Sequence, residues 1–332
     1  MKYFQHYSAA SIDEALSLLK QFNGRAKLIA GGTDLLGTLK SDILPDYPEA
    51  VIDIKTIPGL DAINEDEDGL TIGALTRLVD IVQSPLINKS CGILAEAAES
   101  VASPEIRNMG TLAGNLCQDT RCWYYRFPHA MGGRIQCFRK GKGPCPAVTG
   151  DNRYHAVFEG KKCFAVCPSD MAIALAALDS SLTVIGNSGK KIIPIMDFYK
   201  TLGCVLKPDE MLTEIQVPRP LDHTLQTFLK FRVRESVDFA IASVASAITV
   251  TKGFCTDARI ILGAVAPTPY RASEAEKALI GNPLDSSTAK TAAESAVIHA
   301  KPLSRNEFKV EIIKALVERA INEATLKHHY RH

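Results

Sequence analysis

The chain has 332 residues, a formal net charge of +1, 46% hydrophobic residues and 23% charged ones. That balance belongs to a globular protein of two or three domains, leaves no global basic field for nucleic acid, and contains no apolar run of the roughly 18–20 residues that span a membrane. The N-terminus shows neither an apolar core segment nor a small-residue cleavage site, which predicts no signal peptide and a cytoplasmic protein.

From the N-terminus, Ser11-Ile12-Asp13-Glu14 has the form of a capping box leading straight into a helix. Ala15, Leu16, Leu18, Leu19 and Phe22 supply its apolar face, and Gly24 ends it. Residues 27–30 read as a buried strand running into Gly31-Gly32, residues 50–54 as a second strand and 70–74 as a third. Helical spacing covers 93–101, and an irregular stretch rich in glycine and cysteine follows from 110 to about 162. Helix returns over 169–178 with Ser169 as its N-cap. Strand patterns recur at 182–185, 192–195, 228–233, 241–250 and 260–265, followed by helical ones at 273–280 and 309–324. Pro218-Arg219-Pro220 marks a linker, and strands followed by helices beyond it suggest a separate α+β domain.

Ala30-Gly31-Gly32-Thr33 follows a strand and precedes a helix-capable stretch. Adjacent glycines can turn sharply and expose successive backbone N–H groups as a nest for phosphate or pyrophosphate. The same residues fit a plain strand–helix turn, and neither a dinucleotide fingerprint of the G-x-G-x-x-G type nor a Walker loop is present. A second segment, Arg107-Asn108-Met109-Gly110-Thr111-Leu112-Ala113-Gly114-Asn115-Leu116, offers small residues, a hydroxyl and an amide, so that two loops could clamp one pyrophosphate from both sides.

These segments carry a resemblance. The chain resembles the FAD-binding medium subunit of the xanthine dehydrogenase and carbon monoxide dehydrogenase family. The resemblance rests on Ala30-Gly31-Gly32-Thr33, Ile72-Gly73-Ala74-Leu75-Thr76, Ser103-Pro104-Glu105-Ile106-Arg107-Asn108, Thr111-Leu112-Ala113-Gly114-Asn115 and Pro168-Ser169-Asp170. Leu206-Lys207-Pro208-Asp209-Glu210, Lys230-Phe231-Arg232-Val233-Arg234 and Asp238-Phe239-Ala240 continue it. One departure is Ala113, where the family more often has glycine; alanine fits there if φ is negative. The resemblance implies an α+β fold with a two-lobed FAD-binding domain, residues 1–220 with lobes of about 1–56 and 57–220, and a smaller C-terminal α+β domain, 221–332. It implies an FAD site made of Leu28, Ile29, Ala30, Gly31, Gly32, Thr33, Asp34, Leu35 and Leu36 on one loop and Thr111, Ala113, Gly114, Asn115 and Asp119 on the other. Asp170 is implied at the nucleotide portion and Lys230 near the isoalloxazine ring. On residue type alone, Asp170 fits charge compensation at a helix N-terminus and Lys230 a solvated strand lysine. The implied partners are a large molybdenum-cofactor subunit and a small subunit with 2Fe–2S clusters.

Six of the nine cysteines lie within 51 residues, a clustering that favours a metal site over a disulfide framework. Cys122, Cys137, Cys145 and Cys163, spaced C-x14-C-x7-C-x17-C, sit in an insertion of about 118–166 that cannot easily build a core. Four thiolates match a 4Fe–4S cluster; structural zinc usually takes paired C-x2-4-C knuckles, which these lack, but spacing does not exclude it. The insertion resembles that of the 4-hydroxybenzoyl-CoA reductase beta subunit and related aldehyde oxidoreductase flavin subunits. This is carried by Asn115-Leu116-Cys117-Gln118-Asp119-Thr120-Arg121-Cys122 and Cys163-Phe164-Ala165-Val166-Cys167-Pro168-Ser169-Asp170, and it implies an additional 4Fe–4S cluster. Cys167 competes with Cys163 as fourth ligand; Cys117 goes with the flavin loop.

From Arg121 to Lys162 there are nine Lys and Arg against Asp151 and Glu159. This charge can compensate an anionic cluster, can steer an external electron carrier, with ferredoxin favoured over NAD, or can simply be solvated. His129, His155, His223 and His299 show no metal spacing, His328 and His329 lie near the terminus, and no residue of this chain is assigned catalysis. The expected function is an electron-transfer subunit of a molybdenum-containing oxidoreductase. Its rivals are a stand-alone flavoprotein oxidoreductase with a structural zinc or thiol-rich loop, and a non-enzymatic zinc module.

Overall fold

The computed structural model describes residues 1–133, 135–235 and 237–329, with side chains up to residue 326; Arg134, one of the nine basic residues of the insertion, lies outside that set, as do residues 330–332. The first lobe is a parallel sheet of β1 (Gln5–Ser8), β2 (Ala26–Ile29) and β3 (Ala50–Asp53), with β3 in the middle. β1 occupies residues that the sequence pattern assigned to a lead-in, because a four-residue edge strand with no buried position carries no apolar signal. The helix Ile12–Phe22 buries Ala15, Leu16, Leu19 and Phe22 against Ala26, Ala50 and Ile52. Ser11 Oγ accepts the Glu14 amide at 3.2 Å, whereas the Glu14 carboxylate reaches Ala10 N, so the reciprocal arm of the capping box lands one residue early. Asn23 closes the helix at φ 43°. β2 therefore delivers Ala30, Gly31 and Gly32 to the carboxyl end of a parallel sheet, where α/β folds bind ligands.

The second lobe is a five-stranded sheet in the order β4-β5-β10-β6-β7. Its strands are β4 (Ile63–Glu65), β5 (Gly69–Gly73), β6 (Ser181–Gly186) and β7 (Gly189–Pro194). After a short hairpin of β8 (Tyr199–Lys200) and β9 (Gly203–Cys204) comes β10 (Glu210–Pro218). β10 pairs antiparallel with β5 on one side and β6 on the other, joining strands more than a hundred residues apart. The sequence pattern missed it because its acidic positions break the apolar run; Glu210 is buried, paired with Lys191 at 2.8 Å. The helix Asp170–Ala177 packs between this sheet's lobe and the C-terminal domain, and all eight of its residues are buried. Its all-round apolar sequence follows from that position. Asp170 is its one charge.

The C-terminal sheet runs β11 (Thr224–Phe231), β12 (Ala242–Thr251), β13 (Phe254–Gly263) and β14 (Tyr270–Arg271), all antiparallel. Three helices cover it, Ser273–Leu279, Ser286–Ser295 and Phe308–His329, one more than the sequence pattern contained. Ser286–Ser295 buries only alanines (Ala289, Ala292 and Ala293), which give a weak apolar stripe. The chain is thus α+β, with a large two-lobed part and a smaller C-terminal domain.

Lys309, fully buried, donates to Ala264 O at 2.6 Å and His155 O at 3.1 Å, tying the last helix to the sheet and to the cysteine-rich insertion. Burial pushes its pKa down to about 7. In the unfolded chain the proton stays on to about 10.4, so between these values the unfolded state binds more protons and stability rises with pH, flat below pH 7. Each unit of difference is worth about 1.4 kcal/mol, so the rise amounts to a few kcal/mol. Lys309→Met should lack it: in urea unfolding, the stability difference between wild type and variant should grow in favour of wild type from pH 7 to 9.5. Parallel pH profiles would show that Lys309 keeps an ordinary pKa.

Candidate functional site

The two glycine loops meet backbone to backbone. A Cβ built on Gly31 would lie 1.8 Å from Met109 O, and one on Gly110 would lie 3.7 Å from Thr33 Oγ1. Gly32 sits at φ +68°, a conformation glycine adopts without strain. Among the described residues, none of the N–H groups of Gly31, Gly32, Thr33 and Asp34 donates to a backbone carbonyl, which leaves them available as a nest. The second loop is pinned to the end of β5: Leu112 N donates to Thr76 O at 2.8 Å and Ala113 N to Ala74 O at 3.0 Å. Thr111 caps the short helix Leu112–Leu116 by accepting Gly114 N at 3.1 Å. Ala113 stands in that helix with negative φ, so alanine replaces glycine there without strain. Asn115 Oδ1 accepts Ser169 Oγ at 2.6 Å, and Ser169 caps the buried helix by accepting Ala172 N, so the second loop and Asp170 are set by one chain of hydrogen bonds.

The carboxylates of Asp34 and Asp119 hold the insertion onto the first loop. Asp34 accepts from Arg121 at 2.5 Å, Arg126 at 2.6 Å and Asp119 N at 2.8 Å. Burial alone would raise its pKa, but the two guanidinium charges and the amide outweigh this and hold it below the ordinary value. Asp119 accepts from Tyr125 Oη at 2.6 Å and Arg139 at 3.2 Å. With Arg153 paired to Asp151, Arg121, Arg126, Arg139 and Arg153 are each ion-paired within the chain among the described residues.

Asp170 and Lys230 form an ion pair at 2.7 Å with side chains only 7% and 4% exposed. Lys230 Nζ also donates to Ser100 O at 3.0 Å. Lys230 is therefore not a solvated strand lysine; it reaches from β11 across to the second lobe. Beside Asp170 opens a cavity of about 470 Å³, walled also by Arg121, Cys122, His155, Arg234 and Phe239.

Cys122, Cys137, Cys145 and Cys163 all line a second, smaller pocket, together with Tyr124, Tyr125, Phe138 and Arg139. Cys163 faces this pocket, whereas Cys167 lines the larger cavity and its amide is bonded to Ala266 O. Burial, with Cys163 and Cys145 nearby, raises the Cys122 thiol to about 11. Among the described residues, no three His, Cys, Asp or Glu groups are grouped so as to hold a metal ion. One residue that no spacing pattern picked out joins this place: His155 Nε2 lies 3.3 Å from Cys122 Sγ. His155 is 2% exposed, and burial, with the Lys309 charge, pushes its pKa down to about 4, so the ring is neutral.

Residues 2–220 match the family model of the FAD-binding domain in molybdopterin dehydrogenase, and residues 227–324 match the CO dehydrogenase flavoprotein C-terminal domain. The chain belongs to this family. It is 34% identical to the aldehyde oxidoreductase FAD-binding subunit PaoB of Escherichia coli, over 98% of this chain and 99% of that one. It is 28% identical to the carbon monoxide dehydrogenase medium chain of Hydrogenophaga pseudoflava, over 97% and 96% of the two chains. Among solved structures, carbon monoxide dehydrogenase from that organism superposes with a TM-score of 0.78 at 27% identity, covering 98% of each chain. Quinoline 2-oxidoreductase from Pseudomonas putida gives 0.77 at 25% identity, covering 98% and 99%. Among the described residues, no helix is long and apolar enough to cross a membrane.

Proposed function

We propose that this chain is a cytoplasmic flavin subunit that passes electrons between the 2Fe–2S clusters of a small partner, FAD, its own 4Fe–4S cluster and an external carrier, with substrate chemistry in a large molybdenum-cofactor subunit. The observation that carries the flavin part is the backbone contact of Gly31 with Met109, which joins two loops into one cradle with free N–H groups. In this reading residues 1–220 bind FAD and 221–332 cover it. The loop of Leu28, Ile29, Ala30, Gly31, Gly32, Thr33, Asp34, Leu35 and Leu36 and that of Thr111, Ala113, Gly114 and Asn115 cradle the pyrophosphate. Asp34 and Asp119 hold the two loops and the insertion together, and Asp170 and Lys230 keep a fixed charge pair at the wall of the larger cavity. What supports the cluster part of the reading is that four cysteines line one small pocket, the number of thiolates a 4Fe–4S cluster takes. Cys122, Cys137, Cys145 and Cys163 would be its ligands, in an insertion of the 4-hydroxybenzoyl-CoA reductase type. FAD supplies the exchange between two-electron and one-electron chemistry, and the cluster one-electron transfer. The exposed Lys142, Lys161 and Lys162 of the insertion favour an acidic carrier such as ferredoxin over NAD.

Anaerobically purified complex should contain about one FAD and, beyond the partner's clusters, about four iron and four sulfide per copy of this chain. Cys145→Ser should lower iron and the reduced-cluster EPR signal while sparing FAD. Zinc in place of iron would remove the cluster from this chain, and unchanged iron in the variant would remove Cys145 from its ligands. Absence of FAD from folded complex would overturn the flavin assignment.

A further inference from the structure

Cys122 lines both the thiol pocket and the 470 Å³ cavity beside Asp170, so this residue stands between them. On the cavity side His155 Nε2 stands 3.3 Å from the Cys122 sulfur. The ring is packed: it meets Trp123 edge to face at a centroid distance of 5.5 Å and Tyr124 at a tilt at 5.9 Å. Its backbone is held by Asn152 O on the N–H and by Lys309 and Asn306 on the carbonyl. Nδ1 is buried with no hydrogen-bond partner, so a proton there would be an orphaned donor. A cysteine sulfur bound to iron carries no proton and can only accept. Both facts put a ring proton on Nε2, 3.3 Å from the Cys122 sulfur.

We propose that His155 sets the reduction potential of the cluster by donating Nε2–H to the Cys122 sulfur. This rests on the cluster reading given above. Reduction places more negative charge on the ligand sulfurs, and a fixed donor stabilises that charge, which raises the potential. His155 is a positioning residue for electron exchange at the cluster.

The test is an EPR-monitored redox titration of the purified complex carrying wild-type chain, His155→Phe or His155→Gln. The phenylalanine ring keeps the packing and removes the donor; iron and FAD should stay at wild-type levels and the midpoint should move to more negative potential. Glutamine, which restores an N–H, should bring it back toward wild type. Wild-type complex lacking this cluster's iron would overturn the cluster and with it the role of His155. Full iron with an unmoved midpoint in His155→Phe would overturn the role of His155 alone. If the phenylalanine variant loses iron, pulsed EPR on wild-type complex labelled with nitrogen-15 histidine decides: a nitrogen coupling on the 4Fe–4S signal is expected, and its absence would sink the proposal.

Discussion

Gly31→Ala should leave a folded protein that purifies with less than a tenth of its FAD. The added methyl would stand 1.8 Å from Met109 O, 2.6 Å from Met109 C and 3.1 Å from Gly110 N. All three atoms are backbone, so no side chain can rotate away. The loops would have to separate by more than an ångström, and a cradle that grips one pyrophosphate from two sides would lose one of them. A tenfold loss corresponds to only about 1.4 kcal/mol of binding, less than such a separation should cost. Gly37→Ala is the control: a Cβ there meets nothing within 4 Å, and alanine suits its helix. FAD absorbance per chain after purification, and flavin rebinding to stripped protein, check the pair. Stoichiometric FAD in Gly31→Ala would mean that the loop contact is not part of the cradle.

The turn at Gly31-Gly32 was legible in the sequence because its constraint is on backbone, whereas its contact with Met109 was not. Ser169 as a cap and the helix behind it were legible for a similar local reason. What escaped was pairing across distance. Arg121 and Arg126 meet Asp34 across some ninety residues, so a segment that reads as a basic surface is in good part an internal clamp. Lys230 and Asp170 are 60 residues apart, and no local pattern separates a buried strand lysine from a solvated one. His155 lies 33 residues from Cys122, outside every metal-ligand spacing, and only the fold of the insertion brings them together. β10 was lost for the same reason: Glu210 at its start is neutralised by Lys191 of another strand. Local propensity and period carried the elements; the partners of buried charges had to be read from the structure.

Lys230→Met should be the most destabilising single change among those at the site. The lysine is the side-chain partner of a carboxylate that is only 7% exposed, and it also caps Ser100 O. Removing one member of a buried pair leaves the other charged without solvent, which typically costs about 3–5 kcal/mol. A double variant with Asp170→Asn carries no buried charge, and it should recover at least half of that loss although it has two changes instead of one. The pair also crosses between parts of the molecule, Asp170 on the helix behind the second glycine loop and Lys230 on β11, so the single variant should loosen the C-terminal domain on the FAD-binding part. Urea unfolding followed by both flavin fluorescence and circular dichroism would show this as two separated transitions in Lys230→Met and a closer pair in the double variant. A single-variant cost below about 1 kcal/mol, the range of exposed ion pairs, would mean that water reaches Asp170 and that the charge pair does not fix the cavity wall.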